Sequence, residues 1–463
     1  MNQASQFRER ALGWGMALLC LVCCLPGRAA DSLDWRQGEN RVAAEIDGWD
    51  LPKLLANVAA ATGWQVFVEP DTHLTVSTKF KDRPPGEALR LLLGNLSYFL
   101  LQQTDGAPKL VVFRTSPQEA TQLVHAARKS GPPKSAKPIA NELIVTLKPG
   151  AKIDELAKKL GAKVIGRVDR LNTFRLQFED ADAASAARET LKTNSDVESI
   201  DSNFPVVNPP PLEALTYSSP LPPLDLKVKA GGDGGHPVVG LVDTPIQPLS
   251  GTLNEFLLPS LSVAGDAKPS DTWPTHATSM TETILQGLAT GLAGNDTTGV
   301  KILPVDVYGN NPSTSTFILA KGIYEAIGAG ATIINLSLGS DGDSEFLHQV
   351  IRSGHEQGIV FVAAAGNEPV TTPTYPAAYP EVVAVTAGDR KGNIADYANR
   401  GDFIAVIADG SSIISFNGQS YVITGTSAAT ADVTGLMAAD ADQTKKTPAA
   451  VEADIRNKLA LKR

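Results

Sequence analysis

Six short apolar runs decide what the C-terminal half of this chain can become: Val238 to Val242, Ile302 to Val307, Thr332 to Leu338, Ile359 to Ala365, Val382 to Thr386 and Phe403 to Ala408. Each is strand-length and apolar on both faces, and helical patterns separate several of them. That is the signature of buried parallel strands, so residues 236 to 463 are expected to form a doubly wound α/β domain. In such sheets chemistry gathers at the carboxyl ends of strands and at the helix starts that follow them.

One helix start stands out. Tyr421 to Ala438 reads YVITGTSAATADVTGLMA, an apolar run that ends in Gly425-Thr426-Ser427 before small residues continue at helical spacing. Ser427 therefore opens a helix after a tight turn, where free N–H groups favour negative charge developing beside it. Two readings stand at this point, a nucleophile or an ordinary helix cap. A serine nucleophile needs a base and an orienting carboxylate. Of the six histidines, His73 and His125 lie outside the domain, His348 and His355 belong to the helical stretch DSEFLHQVIRSGHEQG, and His236 precedes the first strand. His276, which begins the helical HATSMTETILQGLA after the loop DTWPT, is the base by elimination. Asp243 closes the first strand, VVGLVD, where packing gives no reason for an acid; a solvated strand end is its other reading.

The chain before this domain divides into further units. Arg8 and Arg10, the apolar run Ala11 to Cys24 and the small residues Gly27, Ala29 and Ala30 make residues 1 to 30 a secretory signal peptide. The product is expected in the periplasm or secreted. Cleavage after Ala29 or Ala30 is preferred to a lipid anchor at Cys24, and no later run is long enough to span a bilayer. Cys20, Cys23 and Cys24 are the only cysteines, so the mature chain has no disulfide. Net charge −9 and a pI near 5.3 argue against nucleic acid as a partner. Residues 31 to 116 read as two small βαβ-like halves. Their DLPKLL helix, TGW before an apolar strand, EALRLLL and YFLLQQ resemble the short N-terminal domain of secretins and TonB-dependent receptors, which implies docking to an envelope protein. Residues 117 to 138 read as a linker, and 139 to 207 as β-α-β-β-α-β, the ferredoxin-like order. Residues 208 to 235 read as a Pro/Gly-rich linker holding the processing site, expected between about Asn203 and Gly232.

With Asp243, His276 and Ser427 in this order, the domain resembles the subtilisin-like serine proteases: GLVDTPI matches the aspartate motif, HATSMTETI the histidine motif and GTSAATADVTG the serine motif. The resemblance implies that these three residues act as a catalytic triad. AAAGN at Ala363 to Asn367 matches the segment whose asparagine, Asn367 here, donates to the oxyanion, and removing such a donor costs about 3 to 4 kcal/mol. INLSLG resembles the strand that pairs with substrate, and TYPAAYPEVVAVTA the floor of the first side-chain pocket, with Tyr375-Pro376 cis. The resemblance thus implies substrate-binding roles for Ser337, Leu338, Gly339, Ala364, Gly366 and Thr374. Residues 139 to 207 resemble the inhibitory propeptide of the same family, so the partners implied are polypeptide substrates and the chain's own propeptide. Family positions are replaced at Pro245, Ser279, Glu282, Asp409, Ala431 and Asp432. Thr374 replaces a pocket glycine, which favours small substrate side chains. No cofactor is required. Asn295-Asp296 and Asp341-Gly342-Asp343 are the loops that could take calcium, as many members do, and ordinary turns account for both. The expected function is an exported, self-processed serine endopeptidase. The alternative is a relative that grips peptides in envelope signalling or docking without cutting them.

Overall fold

The computed structural model describes residues 31–36, 41–70, 72–101, 108–115, 120, 122–124, 136–208, 216–217, 224–229, 235–389 and 392–461. The signal-peptide reading of residues 1 to 30 falls outside them.

The first unit contains β1 (Ser32–Arg36), β2 (Arg41–Asp50), α1 (Leu51–Thr62), β3 (Gln65–Val68), β4 (Thr75–Arg83), α2 (Pro85–Leu93), β5 (Ser97–Leu101), β6 (Lys109–Phe113) and β7 (Gln122–Val124). Asp50 accepts from Lys53 N–H to start α1, and Gly63 ends it in a left-handed conformation. The expected pair of βαβ halves is not what forms. β2 pairs antiparallel with β1 and β4, whereas β3 joins a separate sheet of order β5-β6-β3-β7. The missed strand, β4, is polar with only Val76 and Phe80 turned to the core. β7 lies within the stretch read as linker; it adds antiparallel to β3, with Val124 opposite Val66.

The second unit follows the expected order: β8 (Glu142–Leu147), α3 (Ile153–Leu160), β9 (Lys163–Val168), β10 (Thr173–Gln177), α4 (Ala181–Lys192) and β11 (Val197–Ser202). Its antiparallel sheet runs β11-β8-β10-β9, the ferredoxin-like topology. Leu143, Val145, Phe174 and Leu176 alternate into a core against the two helices.

The third unit is the expected doubly wound domain. Its sheet strands are β12 (Val238–Asp243), β13 (Leu261–Ser262), β14 (Lys301–Asp306), β15 (Ile333–Leu336), β16 (Val360–Ala364), β17 (Val382–Gly388) and β18 (Val406–Asp409). They are all parallel in the order β13-β14-β12-β15-β16-β17-β18. Helices α5 (His276–Gly291), α6 (Thr316–Gly328), α7 (Glu345–Glu356), α8 (Thr426–Thr444) and α9 (Pro448–Lys458) cover the faces, and a hairpin of β19 (Ser411–Phe416) and β20 (Gln419–Thr424) feeds α8. Helices α5 and α8 cross closely because small residues let them. A Cβ at Gly435 would lie 2.1 Å from the Ile284 carbonyl, and one at Gly287 2.4 Å from the Asp432 carbonyl. This crossing sets the spacing between His276 and Ser427, since each starts its helix within one residue.

The second unit is fastened to the third through the ends of helices. Asn203 Oδ1 accepts from Phe317 N–H (3.0 Å) at the start of α6, and Asp201 Oδ2 accepts from Phe346 N–H (3.1 Å) and the Ser344 hydroxyl (2.7 Å) at the start of α7. Glu142, paired to Arg175 through both oxygens at 2.8 Å, receives Asn203 Nδ2 at 2.7 Å and fixes that amide. The ring of Phe317 lies where a Cβ on Gly166 would stand, 2.6 Å away. The chain then leaves as a strand, Pro205–Val207, paired antiparallel with Ser313–Ser315.

Within the stretch read as a linker, residues 224–229 are built into the third unit. Leu226 is 1% exposed in its core, and Lys227–Val228 pairs parallel with Thr297–Thr298.

Candidate active site

Asp243 ends β12 next to β14, in register with Asp306, at the carboxyl edge of the sheet. Its carboxylate is fully buried and receives Thr244 N–H at 2.6 Å. His276 Nδ1 stands 2.9 and 2.8 Å from its two oxygens. A carboxylate is acceptor-only, so Nδ1 carries the proton and Nε2 of the neutral ring keeps its lone pair. The helix holding this imidazole is anchored at its first turn. Thr275 caps it by accepting from Thr278 N–H, the Thr244 hydroxyl accepts from Ala277 N–H at 3.0 Å, and Gln247 Oε1 accepts from Thr275 N–H at 2.6 Å. Gln247 also donates to the carbonyl of Trp273 at 2.8 Å, so one buried amide clamps the loop and the helix together.

Ser427 is the second residue of α8, and the structure separates the two readings of it. The N-cap is Gly425, at φ 152°, with no side-chain cap bond, so Ser427 is not spent as a cap. Its hydroxyl donates to the Ser337 carbonyl at 3.2 Å, and the Ser337 hydroxyl donates to the Ser427 carbonyl at 3.2 Å. Among the described residues no hydrogen bond joins Ser427 to the imidazole. The Asp243–His276 pair is thus assembled and the serine is turned toward β15.

Asn367 follows β16 with its amide direction fixed. Its Oδ1 accepts from Thr426 N–H (2.8 Å) and the Thr426 hydroxyl (3.0 Å), which turns Nδ2 to the opposite side, over Gly425. Among the described residues Ser427 N–H makes no hydrogen bond. Two donors are therefore available at the start of α8, where helix polarity adds positive potential.

The residues assigned to substrate form one wall. Ser337, Leu338 and Gly339 continue from β15, Ala364 ends β16, and Gly366 takes φ 108°. Ser340 and Tyr375 exchange two backbone hydrogen bonds of 2.8 Å, which brings Thr374 against Gly339. A Cβ on Gly339 would lie 2.8 Å from Thr374 Cγ2. The Tyr375-Pro376 bond is cis. Asn399, which the sequence did not single out, holds this wall in place. Its buried Nδ2 donates to the carbonyl of Ala365 (2.7 Å) and the hydroxyl of Thr374 (3.2 Å), and its Oδ1 accepts from Glu368 N–H (3.0 Å).

Of the replaced family positions, Ser279 donates its hydroxyl to the Thr275 carbonyl at 3.0 Å, while Glu282, Ala431 and Asp432 lie further along the crossing helices α5 and α8. Ala431 is fully buried, and Asp432, whose carbonyl backs Gly287, has its carboxyl pushed up to about 6 by burial and then by the charge of Asp409. Glu282 Oε2 accepts from Ser415 N–H at 2.7 Å, its Oε1 is buried without a partner, and burial pushes its carboxyl up to about 7. Of the calcium candidates, Asp296 is committed to Lys227 and Asp343 accepts from the Tyr379 hydroxyl. Among the described residues no group of three or more His, Cys, Asp or Glu side chains is placed to hold a metal ion.

Comparison with known proteins finds relatives of this chain. The Subtilase family profile matches residues 234–460, and that of the fervidolysin N-terminal prodomain matches residues 125–203. Thermitase of Thermoactinomyces vulgaris is 33% identical over 233 residues, covering 48% of this chain and 81% of its own length. A thermophilic serine proteinase of Bacillus sp. (strain AK1) is 38% identical over 157 residues, 34% of this chain, and the minor extracellular protease Epr of Bacillus subtilis 31% over 209 residues, 44% of it. The chain spans only 39% and 32% of the lengths of those two. In fold it is similar to fervidolysin of Fervidobacterium pennivorans, a keratinolytic enzyme related to subtilisin, at TM-score 0.53 and 19% identity over 69% of this chain and 57% of that one. Because the match to thermitase runs through most of that protein and the sheet has the topology and edge chemistry described above, the chain belongs to the subtilase family of serine proteases.

Proposed function

We propose that the chain is an exported serine endopeptidase made as a precursor with its own inhibitory prodomain. The observation that carries this reading is the Asp243–His276 pair: a fully buried carboxylate binds Nδ1 through both oxygens and leaves Nε2 as a base beside the helix that Ser427 opens. On this reading the Ser427 side chain turns away from the Ser337 carbonyl to deliver its hydroxyl to that base. Oγ then forms the bond to the substrate carbonyl carbon while its proton passes to Nε2, and the buried Asp243 stabilises the imidazolium. The oxyanion is taken by Asn367 Nδ2 and Ser427 N–H. Collapse breaks the C–N bond, the imidazolium gives its proton to the leaving amine, and water repeats the sequence on the acyl-enzyme.

One observation favours a second reading, a peptide-binding protein that does not cut: the Ser427 hydroxyl is engaged by Ser337 rather than by His276. A fluorophosphonate probe separates the two. The processed wild type should take the label on Ser427, and Ser427→Ala should lose both labelling and self-processing. A processed wild type that takes no label would falsify the enzyme reading and leave the second.

A further inference from the structure

The strand laid along Ser313–Ser315 comes from the chain itself, and it runs beside Ser340, which directly follows the Ser337–Gly339 segment. Asn208 N–H donates to the Pro312 carbonyl at 3.0 Å, and the Ser340 hydroxyl donates to the Pro205 carbonyl at 2.9 Å. Backbone pairing of this kind is open to any extended peptide. One contact is of another kind. The hydroxyl of Tyr308 donates to the carbonyl of Val207 at 3.2 Å from a residue that is only 1% exposed. Val207 itself is 68% exposed, so the third unit grips this residue by its carbonyl and not by its side chain.

Tyr308 is held for that contact. Its N–H donates to Asp306 Oδ1 at 2.9 Å, and its carbonyl accepts from Asn311 N–H at 3.1 Å and from Asn311 Nδ2 at 2.9 Å. Burial, and then the charge of Asp243, raise the phenol well above its usual range, so it stays a donor. A buried hydroxyl stripped of its acceptor is destabilising, and departure of the prodomain strand leaves this one needing another.

We propose that Tyr308 is a substrate-binding residue whose hydroxyl takes one backbone carbonyl of an extended acyl-side peptide strand, the place Val207 holds in the precursor. It reads the length of the peptide rather than its side chains. The inference rests on the endopeptidase reading above.

The test compares processed wild type with Tyr308→Phe, which keeps the ring, on peptide substrates lengthened one residue at a time on the acyl side. The shortest should be cut alike. From the length whose carbonyl reaches Tyr308 onward, KM should rise about 2- to 10-fold, with kcat changed by less than about 2-fold. Equal KM at every length, or a loss already present in the shortest substrate, overturns the proposal. Hydrogen exchange on the full-length chain, kept unprocessed by Ser427→Ala, supplies a readout free of activity: adding Tyr308→Phe should speed exchange at Val206–Asn208, and unchanged exchange also overturns it. Should the wild type neither label nor cut, the endopeptidase reading falls, while exchange still decides whether Tyr308 holds the strand.

Discussion

A threonine methyl fills the space between the wall at Gly339 and the floor at Tyr375, and Asn399 prevents Thr374 from turning away. An enzyme with this floor should prefer small side chains such as Ala at the residue whose carbonyl is attacked. Peptides differing only there should show it as a higher kcat/KM for Ala than for Phe, and Thr374→Gly should narrow that ratio; a wild-type preference for Phe would sink the idea. The residues legible in advance were those whose chemistry restricts their type: an acid at a strand end, a histidine and a serine at helix starts. Gln247, Asn399 and Tyr308 were not legible. Their partners lie about 30 residues away for the two amides and 101 for the phenol, and no local pattern marks such a contact.

Helix α5 carries an acid where the hairpin packs against it, and that element should make stability depend on pH. Glu282 is buried with one oxygen unsatisfied, and its carboxyl is raised from 4.5 to about 7. An acid raised on folding binds more protons in the folded state, so the folded state loses ground as pH climbs. The loss begins near the unfolded value of 4.5, is complete above about 7, and amounts to about 3 kcal/mol at most. Glu282→Gln keeps an acceptor for Ser415 N–H and should remove the effect. Its Tm should match the wild type near pH 4 and exceed it near pH 8; parallel Tm curves across that range would refute the assignment. Buried parallel strands were readable because both faces are apolar. β4 and β7 were missed because edge strands bury one face at most, and Thr75–Arg83 turns most of its side chains to solvent.

Across the whole molecule, the placement of residues 224–229 bounds where the precursor can be cut. Lys227 N–H donates to the Asp296 carbonyl at 2.7 Å, Lys229 N–H to the Thr298 carbonyl at 2.8 Å, and Leu226 fills the core beneath. Burying one leucine is worth about 1.5 to 3 kcal/mol, so a chain that lost this segment would be measurably weaker. The processed enzyme is therefore expected to begin between residues 209 and 224, as N-terminal sequencing would read directly; a start beyond Lys229 would contradict it. The same bound explains why a stretch rich in Pro and Gly misled in part. Composition marks where a chain cannot form helix, and a two-residue strand held by its neighbour needs no helix. Asn203 and Asp201 carry a further consequence. While they are tethered, the acceptors they lend to Phe317 and Phe346 act at the high effective concentration of one molecule; once the chain is cut and the prodomain diffuses off, they must be recaptured from dilute solution. On the endopeptidase reading, a freed protease that has lost these two acceptors is expected to unfold faster than its precursor, and its lifetime to be set by that unfolding barrier.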